Sequence, residues 1–163
     1  MNMKLSRIII CCLVALAVMS CASSKKSSYY STYQSPTTYM NDEGDGSLTV
    51  RAYGLGRNRS DAMEQAAKNA VRDVIFKGVK VPGNALLSKP LVTTVNAEEK
   101  FQDFFNPFFA DGGSYKQFVS RKDHRPLSNK RERSSMQVKL AITLRVLRAD
   151  LRNYLMENKI IEP

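Results

Sequence analysis

Six apolar residues at alternate positions form the clearest pattern in the chain. Met136, Val138, Leu140, Ile142, Leu144 and Val146 are separated by Gln137, Lys139, Thr143 and Arg145, with only Ala141 neutral. A period of two places one set on a buried face and the other in water. The spacing therefore predicts a long half-buried strand with Leu140 and Ile142 in the core. A second alternating run sets Leu48, Val50 and Ala52 against Thr49, Arg51 and Tyr53, and Gly54-Leu55-Gly56 closes it. The period then changes. Ala62, Met63, Ala66, Ala67, Ala70, Val71, Val74 and Ile75 are adjacent pairs repeated every four residues, which is one continuous helical stripe. Asn58 or Ser60 is placed to cap this helix, and Gly78 fits its end. Its alanines at 62, 66 and 70 form a low ridge that would let the helix approach a sheet closely. Leu151, Tyr154 and Leu155 give a closing amphipathic helix.

Between these elements the pattern is weaker. Val79 to Pro90 holds Pro82, Gly83 and Pro90 and reads as a connection. Leu91 to Val95 fits a short strand, and Ala97 to Phe105 a short helix ended by Asn106-Pro107. Gly112-Gly113 precedes a strand expected over Ser114 to Arg121, and a polar loop follows. Phe101, Phe104, Phe105, Phe108 and Phe109 crowd one stretch. They fit either a plug for the open end of the core or an exposed docking patch. The element order implies an α+β domain over residues 47–163: a two-layer sandwich, with a mostly antiparallel sheet of three to four strands and helices on one face.

The first 21 residues have a different character. Lys4 and Arg7 give a basic start, and Ile8 to Val18 is an apolar run of eleven residues. A bilayer-spanning helix needs about 20, so the length and flanks fit a secretory signal over residues 1–20. The run closes on Val18-Met19-Ser20-Cys21, which resembles a bacterial lipobox. That resemblance implies lipid attachment at Cys21, a mature chain starting there, and residence in the cell envelope. Residues 21–46 then read as a disordered tether rich in Ser, Thr and Tyr, with Pro36, Gly44 and Gly46 and no apolar period.

Composition narrows the chemistry. All three cysteines lie in the first 21 residues, so the domain holds no disulfide and no thiolate metal site. The net charge is +10. From Ser47 onward, 21 Lys plus Arg face 12 Asp plus Glu, which leaves +9 on the domain. In an exported protein the anionic neighbours are lipid headgroups, lipopolysaccharide phosphates and cell-wall carboxylates, not nucleic acid. The densest basic cluster is Arg121, Lys122, Arg125, Lys130, Arg131 and Arg133, against Asp123 and Glu132. It fits an anion-binding loop with arginines as bidentate donors, or a solvated connector.

No catalytic, metal or cofactor pattern emerges. Gly54-Leu55-Gly56 lacks the third glycine of a dinucleotide loop, since Arg59 stands there, and no Lys-Ser/Thr pair follows. Asn41, Glu43 and Asp45 lack the closing acid of a calcium loop, because Ala52 takes its place. His124 has no second histidine with which to share a metal. Glu98, Glu99 and Asp103 read as one exposed helix face.

Two stretches carry a family resemblance: Leu48 to Gly78, a strand ending in Tyr-Gly-Leu-Gly before an alanine-studded helix, and Met136 to Tyr154, an alternating strand running into a Leu-bearing helix. Together the pattern resembles the small outer-membrane lipoprotein domain related to the N-terminal domain of the flagellar assembly protein FlgT. The resemblance spans most of residues 47–160 and implies a compact α+β domain, outer-membrane attachment and a non-enzymatic role in an envelope assembly. It transfers no catalytic residues, and the Phe-rich stretch departs from it. The expected partners are the membrane, through the N-terminal lipid, and an envelope protein or the cell wall.

Overall fold

Alternation along two strands and a small-residue ridge on one helix organise the domain. The structure, a computed structural model, describes residues 36–120, 132–134 and 137–162. Strand β1 is Thr38–Asp42, β2 is Leu48–Gly56, β3 is Val119–Ser120, β4 is Glu132–Ser134 and β5 is Gln137–Val146. All pairings are antiparallel, in the order β1-β2-β5-β3, and β4 also pairs with β5. β3 meets β5 at Arg145 and Val146, whereas β4 meets the same strand at Gln137 to Lys139. Among the described residues the sheet is therefore four strands wide. Its two long central strands run side by side from Leu48↔Val146 to Gly56↔Val138.

Helix α1 (Arg59–Phe76) lies across β2 and β5. Asn58 caps it by accepting a 2.9 Å hydrogen bond from the Asp61 amide, and Gly78, at φ +76°, ends it by donating to the Asp73 carbonyl. The contact with β2 needs glycine at position 54. A Cβ there would lie 2.0 Å from the Ala62 carbonyl oxygen and 2.4 Å from the Ala66 amide nitrogen. Ala62, Ala66 and Ala70 are fully buried along this seam. The Gly-Leu-Gly step is thus a packing device: helix backbone fills the space over both glycines.

One core holds the inward sets of β2 (Leu48, Val50, Ala52) and β5 (Ile142, Leu144, Val146) together with α1. Helices α2 (Ala85–Ser88), α3 (Ala97–Lys100) and α4 (Gln102–Phe108), the 3-10 turn Ser114–Phe118, and α5 (Arg148–Glu157) complete it. The phenylalanines belong to this core. Phe105, Phe108 and Phe109 are buried, and their rings pack on one another and on Phe76, Phe104, Tyr115, Phe118 and Tyr154.

Four expectations are corrected. The domain starts before residue 47. Thr38–Asp42 pairs with β2, its entry is fixed by the Thr37 amide donating to Asp73 Oδ2 at 3.2 Å, and only Tyr39 of that strand packs against the core. Of the strand expected over 114–121, only Val119–Ser120 is strand among the described residues, because 114–118 turns as a 3-10 helix to bury Tyr115 and Phe118. Leu91 to Val95 is no strand. Its amides at 91 and 92 instead satisfy the last carbonyls of α1, those of Val74 and Ile75. Pro107 sits inside α4 rather than ending a helix over 97–105, which is broken at Phe101. Leu140 faces the core with Ile142, as the period requires, but is only partly buried.

Candidate functional site

The period that buries one face of β2 and β5 presents the other. Thr49, Arg51, Tyr53 and Leu55 on β2 stand opposite Arg145, Thr143, Ala141 and Lys139 on β5. None of these residues joins the apolar core, although Thr143 is itself buried. The face carries three cations, one aromatic ring and two threonines.

Its two ends are internally satisfied. At one end Arg145 Nη2 pairs with Asp45 Oδ2 at 2.5 Å, while Arg145 Nε donates to Ser47 Oγ at 2.6 Å. The Ser47 hydroxyl and amide donate to Asp45 Oδ1. Chiefly that hydroxyl, with Arg145 a lesser contributor, holds the Asp45 carboxyl below its ordinary range. Nearby, Thr49 Oγ1 donates to Glu43 Oε1 at 2.7 Å. At the other end Lys139 Nζ lies 5.7 Å from the centre of the Tyr53 ring.

The middle is not satisfied. Among the described residues Arg51 Nε and Thr143 Oγ1 are both buried without a hydrogen-bond partner, and Thr143 is only 8% exposed. The two residues are direct register partners. Leaving a buried donor or hydroxyl unmade costs about 1–3 kcal/mol, more when the group is charged. A guanidinium with an unused edge beside a spare hydroxyl is suited to binding an anion.

The sequence-derived site residues fall differently. Cys21 lies outside the described residues, as do Arg121, Lys122, Arg125, Lys130, Arg131 and His124. Arg133 is in β4, opposite Val138. The residues flanking the basic stretch are fixed on one edge of β5, with Ser120 against Arg145 and Glu132 against Lys139. Of the acidic trio, Glu98 pairs with Arg72 at 2.5 Å, and Glu99 and Asp103 are exposed. Among the described residues no group of three or more His, Cys, Asp or Glu side chains is placed to hold a metal ion. No helix among them is long and apolar enough to cross a membrane.

Sequence reasoning marked Arg51 and Thr143 only as wet positions on two separate strands. The signal was present in each, a polar residue mid-strand, but their pairing depends on register.

Comparison with known proteins gives no matching family model, no similar curated protein and no similar solved structure.

Proposed function

We propose that this chain is a lipid-anchored, non-enzymatic cell-envelope protein, held at the outer membrane through Cys21 with its domain facing the periplasm. It acts as a binding or scaffolding module in an outer-membrane assembly. The observation that carries this reading is the basic start and eleven-residue apolar run closing on Val18-Met19-Ser20-Cys21. Two or more acyl chains give stable membrane attachment where one does not, and a diacylated cysteine meets that need. Ala22 follows the cysteine, rather than an acidic residue that would retain it at the inner membrane. The open face of β2 and β5 supplies the binding surface.

A second reading, a basic anion-binding module for peptidoglycan or lipopolysaccharide, is favoured by the unpartnered Arg51 on that face. The anchoring test is Cys21→Ser with fractionation and metabolic lipid labelling. The variant should leave the membrane fraction and lose the label. A Cys21→Ser protein that is still correctly cut and membrane-bound would refute the anchor. Photo-crosslinking in intact cells from Leu55, compared with the exposed Asn153 on α5, tests the surface. Equal capture from both positions would deny the open face a special role.

A further inference from the structure

We propose that the centre of the open sheet face is a carboxylate subsite, in which Arg51 and Thr143 grip a carboxylate of a peptide segment belonging to another molecule. The inference rests on the reading of that face as the binding surface and adds the chemistry of what binds.

The geometry follows from the sheet. Cross-strand neighbours on one face are about 5 Å apart, and successive residues of one strand on one face about 7 Å. Arg51, Thr143, Tyr53 and Ala141 are therefore the four corners of one small cell, with Arg51 opposite Thr143 and Tyr53 opposite Ala141. Ala141 is the smallest side chain on the face and stands opposite Tyr53, so this corner carries the least side-chain bulk. The adjoining corners hold two buried polar atoms that lack partners among the described residues, Arg51 Nε and Thr143 Oγ1. A guanidinium offers two parallel donors along its Nε edge, which match the two oxygens of a carboxylate. The Thr143 hydroxyl supplies a third donor. Both atoms are buried, so binding requires the Arg51 head group to turn outward.

Charge selects a carboxylate over phosphate. Of the three cations on the face, Arg145 is already paired with Asp45, and Lys139 lies over the Tyr53 ring. Glu43 and Asp45 add negative charge at the rim. One free fork beside two acids suits a planar monoanion better than a dianion. The chain's own N-terminal stretch cannot supply it, because residues 1–35 contain neither Asp nor Glu.

The test uses the full chain purified in detergent and follows the Arg51 Nε–Hε resonance. The probes are a short peptide with a free C-terminal carboxylate, its amidated counterpart, and inorganic phosphate. The carboxylate peptide should shift the resonance, and the other two should leave it in place. Arg51→Gln should weaken the peptide about tenfold or more, the worth of one charge-assisted pair. Arg51→Lys, which keeps the charge and loses the fork, should recover little of that. Thr143→Val should weaken binding several-fold without lowering the thermal midpoint, since the hydroxyl it removes bonds nothing in the fold. Equal shifts from the amidated peptide, a response to phosphate alone, or full affinity in Arg51→Gln would each overturn the subsite. So would a lowered midpoint in Thr143→Val with unchanged affinity. Capture from Leu55 that survives Arg51→Gln would overturn the carboxylate assignment while leaving the docking face intact.

Discussion

Replacing Gly54 by alanine adds a single methyl group and should be among the most damaging small changes in this domain. The new Cβ would sit 2.0 Å from the Ala62 carbonyl oxygen, 2.4 Å from the Ala66 nitrogen and 3.0 Å from the Ala66 Cα. Ordinary contact begins near 3.4 Å, so α1 must lift from β2 by about 1.4 Å. Every obstructing atom is helix backbone, so no rotamer change relieves the clash. A gap of 0.5–1 Å already forfeits a quarter to a half of each dispersion contact. The lifted seam includes the buried Ala62, Ala66 and Ala70 and, behind them, Val71 and Val74. Overpacking ordinarily costs about 1–3 kcal/mol, and a forced helix displacement belongs at or above the upper end. For a domain of this size 1 kcal/mol moves the midpoint by about 3–5 °C. The thermal midpoint, followed by far-ultraviolet circular dichroism, should therefore fall by about 10 °C or more. Gly44→Ala is the contrast: no atom lies within 4 Å of its added Cβ, and only its φ of +75° is strained. It should cost about 1–2 kcal/mol. Ala62→Gly or Ala66→Gly should not rescue Gly54→Ala, because neither moves the clashing backbone. A midpoint for Gly54→Ala within a degree or two of wild type, or rescue by either glycine, would refute the close seam between α1 and β2.

Further expectations concern the core and its charged supports. Ile142→Ala, at a 5% exposed position, should lose about 2–5 kcal/mol in chemical denaturation, and the partly buried Leu140→Ala clearly less. Tyr115→Phe removes the 2.9 Å hydrogen bond that the phenol donates to Glu64 and should cost about 1.5–3 kcal/mol, as bonds to charged groups do. Glu64 is held below its ordinary pKa of 4.5, first by Tyr115 and then by Lys116. Its stabilisation is therefore complete above pH 4.5 and lost as acid protonates it, and Glu64→Gln should flatten that part of a midpoint-against-pH curve. Asp73 acts with the opposite sign. Burial raises its pKa above 3.8 against the pull of Lys77 and the Thr37 amide, so folding gains stability as pH falls toward 3.8. Asp73→Asn should remove that acid-side gain, which a comparison of midpoints at neutral and mildly acidic pH would detect.

Periodicity alone makes β2, β5, α1 and α5 legible, because each is amphipathic with its own period and buries its own apolar set. The same pattern shows that Ala62, Ala66 and Ala70 would meet a sheet. Elements without such a period take their form from tertiary contacts. β1 contributes only Tyr39 to the core and is held mainly by ladder bonds to β2, which leave no trace in side-chain patterning. The stretch at 91–95 looks like a strand by residue type, yet its first amides are taken by the end of α1. Residues 114–118 look extended until Tyr115 and Phe118 must both turn into one core. The candidate site divides the same way. Alternation made Arg51 and Thr143 outward-facing on their own strands. Only the antiparallel register, fixed by two buried apolar sets that must coincide, set them opposite each other and left their polar atoms without partners.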